Sequence, residues 1–157
     1  MDQKIISRML SPWVMRFYFF NQLPGAWFFG LKIKVLDHEK CVVQITYRWS
    51  TKNPFRSIYF AALSAAAELS TGSIALAAIE GKDMSMLVTG MSGVFLKKAK
   101  GIILFECEEV PRIVAAVKEA ESNPNGSVVS VTTFGHNKDG VEVAKFTFEW
   151  SFKKKSA

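Results

Sequence analysis

The segment SIYFAALSAAAELSTGSIALAAI, residues 57–79, decides the fold that this sequence predicts. It is rich in Ala and Leu, contains no Pro and is apolar nearly all round. A helix that is apolar on every side must be buried on every side. An antiparallel sheet curved around it can cover one flank, while other elements or a partner chain close the rest. We therefore predict a long central helix, with Gly72 as a point where it is interrupted or ends.

Strand patterns stand on both sides of this helix. Residues 31–35 and 41–49 alternate apolar and polar side chains around a polar segment, which predicts a β-hairpin with one wet face. Residues 85–97 and 101–108 predict a strand pair separated by a turn at 98–100. A second hairpin is predicted around the Asp139-Gly140 turn signal, and its long last strand has four large aromatic residues on one face, which are Phe146, Phe148, Trp150 and Phe152. The fold class is therefore α+β, with an antiparallel sheet wrapped around a long central helix.

Residues 1–27 form a helical and aromatic N-terminal segment. Residues 5–10 have a helical apolar face, and Ser11 and Pro12 are typical of the N-cap and first position of a second helix. The aromatic run at 17–29 is compatible with a membrane-surface element, a lid over the core or a dimer contact. The last two need no lipid partner, so we expect no membrane association.

The composition fits one domain over residues 1–157. With 49% apolar and 22% charged residues the chain matches soluble globular proteins, and its thirteen Phe and four Trp make association plausible. Half of the net charge of +6 lies in three lysines of a basic C-terminal tail, residues 153–157. A modest positive balance suits a phosphorylated small molecule. Basic and aromatic residues are not interleaved as in single-strand binders, so we expect no nucleic-acid partner.

Location and cofactor chemistry follow from a few residue types. Cys41 and Cys107 have no metal-ligand or redox spacing, so we predict buried thiols in strands and no metal site. Arg8 and Arg16 interrupt the apolar pattern of the N-terminus, which lacks a cleavage site, so we expect a cytoplasmic protein. The longest candidate for a membrane span is broken by Glu68.

Residues 53–68, NPFRSIYFAALSAAAE, resemble the motif of hotdog-fold thioesterases of the phenylacetyl-CoA type. That motif reads Asn-x-x-Gly-x-x-His-Gly-Gly and is followed by an acidic residue on the central helix. Asn53 falls on its Asn, and Glu68, fifteen positions later, falls on its acid. The His-Gly-Gly positions hold three other residues, Tyr59, Phe60 and Ala61. The chain also resembles, over nearly its whole length, a hotdog subfamily known as a domain of unknown function, which has Tyr-Phe-Ala-Ala-Leu before a helical Glu.

The resemblance implies a hotdog-fold homodimer, or a tetramer assembled from such dimers, with two sheets joined edge to edge and each site between subunits. It also implies an acyl-CoA substrate, so coenzyme A enters as part of the substrate and no other cofactor is expected. Glu68 would activate water or attack the thioester carbonyl, and backbone amides at the helix start would hold the oxyanion.

Glu68 is the most informative residue, because it is the only formal charge between Arg56 and Glu80 and lies in a helix predicted to be buried. A carboxylate in an apolar site needs a partner or a raised pKa, and such groups concentrate at functional sites. The alternatives are a solvent-exposed strip of the helix, or a contact with a backbone group or Arg48.

The other candidates each have a structural alternative. Tyr59 keeps a hydrogen-bond donor that can orient a carbonyl, or is a core aromatic residue. Phe60 and Ala61 place side chains where the substrate approaches. Asn53 orients substrate or water, or marks the start of the helix. Three lysines lie at the end of the third predicted strand, namely Lys97, Lys98 and Lys100. In the resembled fold that strand runs beside the pantetheine channel, so they meet the phosphates of coenzyme A or belong to a solvated turn. Two histidines fall in predicted turns and are assigned no catalytic role, namely His38 and His136.

Three functions therefore stay open. The leading one is acyl-CoA thioester hydrolysis with Glu68 as base or nucleophile. The second is a non-catalytic acyl-CoA or lipid-binding hotdog protein, because the His-Gly-Gly residues are replaced and many Phe and Met residues can line a pocket. The third is a structural dimer without a ligand, since fold alone does not decide function.

Overall fold

The computed structural model describes residues 1–155. Its five helices are α1 (Gln3–Leu10), α2 (Pro12–Gln22), α3 (Pro24–Phe29), α4 (Phe60–Ile79) and α5 (Val110–Ser122). Its six strands are β1 (Lys32–Leu36), β2 (Cys41–Thr46), β3 (Met84–Phe95), β4 (Ile102–Cys107), β5 (Ser127–Asn137) and β6 (Glu142–Lys154). The strands form one antiparallel sheet in the order β1-β2-β4-β5-β6-β3, and α4 packs against all six. The predicted α+β architecture is confirmed.

Helix α4 is the centre of the core. Its small side chains let the sheet approach closely. The row of aromatic residues on β6 fills the remaining space, since Phe146, Phe148, Trp150 and Phe152 are all buried. The helix is long and apolar enough to cross a bilayer, but 78% of its most apolar window is buried inside the protein. The apolar surface that the sequence predicts to be covered is covered by the chain's own sheet.

The ends of α4 differ from the prediction. The helix begins at Phe60 rather than Ser57, because the backbone of Tyr59 is extended, with a ψ of 136°. The amides of Ile58 and Tyr59 hold this extended segment in place by donating to the carbonyls of Ala99 and Thr51. Gly72 neither interrupts nor ends the helix, which continues to Ile79.

Strand pairing also differs from the prediction. Strands β3 and β4 are not neighbours: β3 pairs with β6 at one edge of the sheet, whereas β4 lies between β2 and β5. The connection between them crosses the sheet past the start of α4, where the carbonyl of Ala99 accepts from Ile58 and that of Gly101 accepts from Tyr47. Strand β2 ends at Thr46, so Tyr47 and Trp49 lie in a turn. The Thr51 hydroxyl closes that turn by donating to the carbonyl of Thr46 and accepting from the amide of Arg48.

The two chain ends extend the predictions. The first two helices are confirmed, with Ser11 at the N-cap and Pro12 at the first position of α2. The third, α3, was not predicted; it begins at Pro24 and ends at Phe29, and its C-cap is Gly30, whose φ of 62° is left-handed. The predicted basic tail, residues 153–157, is partly strand, because Lys153 and Lys154 pair with β3. Residues 156 and 157 of that tail lie outside the described residues.

The close approach of β4 and β5 gives a test of this packing. A Cβ added to Gly135 would lie 2.6 Å from the ring of Phe105, which is fully buried and packs against Phe146 with ring centroids 5.8 Å apart. Because that ring has no room to move, Gly135→Ala should destabilise the protein by about 1–3 kcal/mol, measured by urea denaturation.

The matched control is Gly25→Ala. Gly25 lies in α3, a Cβ added to it would have no atom within 4 Å, and its backbone is not left-handed. This substitution should leave stability unchanged or raise it by up to ~1 kcal/mol, because Ala favours the helix. Equal effects of the two substitutions would contradict the packing described for Phe105.

Candidate active site

Glu68 lies on α4, about two turns from its start, with a half-buried side chain. Burial raises the pKa of its carboxyl group above the ordinary value of 4.5. Among residues 1–155 no salt bridge or side-chain hydrogen bond reaches this carboxylate. Arg48, the alternative partner, donates instead to the carbonyl of Phe28 at 2.9 Å. The carboxylate is therefore desolvated without a compensating partner in the described part of its own chain.

The space for this carboxylate is provided by Gly72, one turn further along α4. A Cβ at position 72 would lie 2.8 Å from Oε1 of Glu68 and 3.3 Å from the ring of Trp150. The indole is held in place because its Nε1 donates to the Thr71 hydroxyl at 3.0 Å, and that hydroxyl donates to the carbonyl of Glu68. Sequence reasoning missed Trp150 and Thr71, although a glycine four residues after a lone helical acid was a usable signal.

The start of α4 presents two free backbone donors. Tyr59 is the N-cap and makes no side-chain capping bond, and its carbonyl accepts from Ala62 and Leu63. In the described part of the chain the amides of Phe60 and Ala61 have no acceptor. Free amides and the positive end of the helix dipole together favour a partial negative charge. This helix start can therefore hold a developing oxyanion.

Two aromatic rings flank these amides. Tyr59 and Phe60 are both exposed, and their rings meet edge to face with centroids 4.8 Å apart. The Phe60 ring also lies 6.4 Å from that of Phe95 on β3. Tyr59 is thus not a core residue, and within residues 1–155 its hydroxyl has no hydrogen-bond partner. A substrate that reached the amides would pass beside both rings.

Asn53 is committed to the loop that leads into α4. Its Oδ1 accepts from the amides of Phe55 and Ser57, and its Nδ2 donates to the Ser57 hydroxyl and the Ile58 carbonyl. Arg56, at the position of the motif's first Gly, has a left-handed φ of 59°. Asn53 therefore organises this loop, and within residues 1–155 its side chain makes no hydrogen bond to Glu68.

Lys97 and Lys98 are exposed in the connection that crosses the start of α4. The amide of Lys97 donates to the carbonyl of Val143, and the next residue but one, Ala99, is bonded to Ile58. Both lysines are thereby fixed close to the end of the helix where the free amides lie. Through the Ala99–Ile58 hydrogen bond the backbone that carries these two lysines lies beside the segment that leads into Tyr59, Phe60 and Ala61.

Glu68 does not join this group within one chain. It follows Phe60 by eight residues on a continuous helix, so the two positions are ~12 Å apart along the helix axis. An oxyanion donor and a base acting on one carbonyl both need to lie about 3 Å from the reacting atoms. The expected juxtaposition of Glu68 and the helix start is therefore not formed inside a single chain.

The remaining titratable candidates offer no second centre. Cys41 and Cys107 face each other across β2 and β4, both fully buried as predicted. Burial raises the pKa of both thiols, that of Cys107 to about 11, so neither is a ready nucleophile. His38 is exposed in the β1–β2 turn, and His136 lies in β5 rather than in the predicted turn. Residues 1–155 contain no cluster of three metal-ligating side chains.

Solved structures show which fold this is. A protein of unknown function from Pseudomonas aeruginosa, described as a probable thioesterase, is 21% identical, with a TM-score of 0.78 over 94% of this chain and 99% of the other. A protein of unknown function from Chlorobaculum tepidum is 16% identical, with a TM-score of 0.77 over 94% and 99%. A thioesterase from Haemophilus influenzae is 10% identical, with a TM-score of 0.70 over 92% and 91%. The chain has the hotdog fold of these proteins, as its motif resemblance predicted.

The sequence itself matches a family with no assigned activity. None of the curated proteins matches the chain. The family described as a domain of unknown function, DUF4442, matches residues 12–152, which is most of the chain and includes α4, the whole sheet apart from its last two residues, and the loop of Asn53. The chain therefore belongs to the DUF4442 family, and it folds as a hotdog domain.

Proposed function

We propose that this protein hydrolyses acyl thioesters, with acyl-CoA as the substrate class and Glu68 as the catalytic base or nucleophile. The observation that carries the proposal is the half-buried carboxylate of Glu68, whose pKa is raised by burial and which has no partner among residues 1–155. A group of this kind costs stability and is typical of functional sites. The thioesterase descriptions of similar hotdog structures support the same reaction class.

The site is proposed to form between two copies of the chain. Strand β3 is an edge of the sheet, and four of its eight exposed residues have large apolar side chains, with that of Leu87 65% exposed. Met91, Val94 and Phe95 continue this surface. An edge of this length is an aggregation hazard unless it is paired. Pairing with β3 of a second copy would close it in a two-fold homodimer.

The ~12 Å between Phe60 and Glu68 along α4 supports this arrangement. We infer that the helix start of one protomer and Glu68 of its partner act on the same thioester. The carbonyl oxygen would accept from the amides of Phe60 and Ala61, and the Tyr59 hydroxyl would orient it. The phosphates of coenzyme A would meet Lys97 and Lys98, which lie beside the same helix start.

In the reaction Glu68 would take a proton from water while the water oxygen bonds to the carbonyl carbon. The negative charge that develops on the carbonyl oxygen would be held by the two amides. When the carbonyl re-forms, the carbon–sulfur bond breaks, and the proton on Glu68 passes to the thiolate of coenzyme A. The products are a carboxylic acid and the free thiol. We propose the cytoplasm as the location, because Cys41 and Cys107 face each other on paired strands and are free thiols, and such thiols stay reduced in the cytoplasm.

A non-catalytic acyl-CoA or lipid-binding protein is the second candidate. The observation in its favour is the ring of Phe60, which stands beside the free amides where the resembled motif has Gly. This ring narrows the approach to the oxyanion position. A purely structural dimer is disfavoured, because it gives no reason to keep an unpaired carboxylate on the central helix.

Of the predictions that follow from this proposed function, the first concerns thioester turnover. Glu68→Gln should lower kcat by about 10²–10⁴-fold in a thiol-release assay with short, long and aromatic acyl-CoAs. Glu68→Ala should have an equal or larger effect. Because the carboxylate acts in its ionised form and its pKa is raised, wild-type kcat should rise with pH through a value above 4.5.

The control for this assay is Glu119→Gln, which changes an exposed carboxylate on α5 and should leave turnover unchanged. If the wild-type protein binds acyl-CoA but turns over none of the substrates, the proposal of hydrolysis is wrong. That result would favour the non-catalytic acyl-CoA or lipid-binding protein. Turnover that survives in Glu68→Gln would remove Glu68 from the reaction.

The second prediction tests the shared site. Phe60→Pro removes one oxyanion amide at a helix position that tolerates Pro, and Tyr59 already has the extended backbone that a following Pro requires. Phe60→Pro and Glu68→Gln should each keep about 1% or less of wild-type activity alone. Mixed and allowed to exchange subunits, they should recover about a quarter of wild-type activity, since half of the dimers then hold one intact site in two.

Phe60→Ala is the control for the first of these variants, because it removes the ring but keeps the amide. It should remain active. Failure of the exchanged mixture to regain any activity, with heterodimers demonstrated by differently tagged chains, would place the whole site within one chain.

The third prediction concerns stability. A carboxyl group whose pKa is raised in the folded state binds its proton more tightly there, so it lowers stability as pH rises above the ordinary value of 4.5. Glu68→Gln should therefore raise Tm at pH 7–8, by about 2–4 °C for each kcal/mol relieved, and the gain should vanish near pH 4. Glu119→Gln should show no such pH dependence, and a Tm gain for Glu68→Gln that is equal at both pH values would contradict the burial of this carboxylate.

A further inference from the structure

Helix α2 is apolar on two opposite sides, and the chain covers only one of them. Met15 and Phe19 are buried in the core. Trp13, Phe17 and Phe20 lie on the other side at helical spacing, and the side chains of the first two are 83% and 73% exposed. The sequence-based expectation that the core or a dimer contact covers the aromatic run is met within the chain for Phe19 but not for these three residues.

Further aromatic residues extend this exposed side. The Phe20 ring meets that of Trp27 on α3 with centroids 5.4 Å apart, and the Phe28 ring meets that of Trp49 in the turn after β2 at 6.2 Å. Trp49 is itself 76% exposed. We name this surface the aromatic face, and its residues are Trp13, Phe17, Phe20, Trp27, Phe28 and Trp49. A cavity of about 940 Å³ opens beside it, between α2 and β1.

The same surface is strongly basic. Four exposed cations line the cavity, and they are Arg16, Lys32, Lys34 and Arg48. None of them forms a salt bridge within the described residues, and the Arg16 guanidinium lies 5.9 Å from the centre of the Trp27 ring. The sequence contains no Asp or Glu between residues 3 and 36. The aromatic face therefore combines exposed rings with cations that nothing in the described chain neutralises.

We propose that the aromatic face docks on the surface of a membrane that contains anionic lipids, in place of the sequence-based expectation of no membrane association. Trp and Phe side chains partition into the boundary between lipid head groups and acyl chains, and Lys and Arg bind the phosphates beside it. The two kinds of residue occur here together, with the rings projecting and the cations around the cavity. Binding is peripheral, since α4 stays buried inside the sheet.

Charge decides between a membrane and a second copy of the chain. In a two-fold contact the same patch faces itself, so Arg16, Lys32 and Lys34 would be brought close to their own symmetry mates. Like charges across an interface are strongly unfavourable, whereas an anionic lipid surface complements all of them. The proposed membrane contact is also separate from the β3 edge, so it does not compete with the homodimer.

The test is cosedimentation of the whole protein with vesicles of phosphatidylcholine alone, and with vesicles that also contain phosphatidylglycerol, at low and at high salt. We expect binding to the anionic vesicles, weakened by salt, with a blue shift of Trp fluorescence as exposed indoles leave water. Trp13→Ser combined with Phe17→Ser should lower the partition coefficient at least about tenfold, as should Lys32→Glu combined with Lys34→Glu.

The matched control is Lys118→Glu combined with Lys138→Glu, which makes the same charge change at two exposed sites on other elements and should keep most of the binding. Equal loss in both charge variants would show that net charge alone acts, and would overturn the docking face. Absence of binding to either kind of vesicle would also overturn the proposal. If, in addition, Trp13→Ser combined with Phe17→Ser gave a smaller oligomer than the wild type, the aromatic face would be assigned to a second copy of the chain. None of these readouts depends on thioester turnover.

Discussion

Burial of α4 is the constraint on which the rest of the structure depends. A helix that is apolar all round cannot face water on any side, so the six-stranded sheet has to curve around it. The small side chains of the helix then require large partners, which β6 provides through its row of aromatic residues. The same constraint explains the crossing connection between β3 and β4. It passes the start of α4, and the carbonyl of Ala99 within it takes an amide that precedes the first helical turn.

The ionisable side chain of Glu68 conflicts with this requirement for burial. Its carboxylate lies in a helix whose other residues favour burial, and the neighbours that surround it, Gly72 and the indole of Trp150, give it space but no charge partner. Natural sequences violate the consistency of their own core chiefly at functional sites. The conflict is confined to one turn, since Thr71 ties the indole to the helix and keeps the packing around the carboxylate ordered. The protein thus carries one destabilising carboxylate inside an otherwise conventional core.

Patterns along the chain predicted whatever depends on local periodicity. Residue type and spacing predict four such features: the central helix, the row of aromatic residues on β6, the start of α2 at Ser11 and Pro12, and the buried cysteines. Strand partners do not, because β3 and β4 carry similar apolar patterns and only the path of residues 96–101 across the helix start separates them. The role of Asn53 was equally hidden. Its motif position suggested chemistry, whereas its loop hydrogen bonds depend on a backbone conformation that residue type alone does not predict.

Three features of the isolated chain are incomplete in a related way. The β3 edge has unpaired backbone groups and exposed apolar side chains, the amides at the start of α4 lack acceptors among the described residues, and Glu68 stands two turns away from them. The proposed second copy across the β3 edge would address all three at once, since it would pair the edge and add a second carboxylate and a second helix start. The aromatic face would not be covered by that pairing, because it lies on α2, α3 and the turn after β2, and α3 leads into β1 at the opposite edge of the sheet from β3. The partner proposed for it is therefore a different one, and its cations, which form no salt bridge within residues 1–155, favour a partner that is anionic.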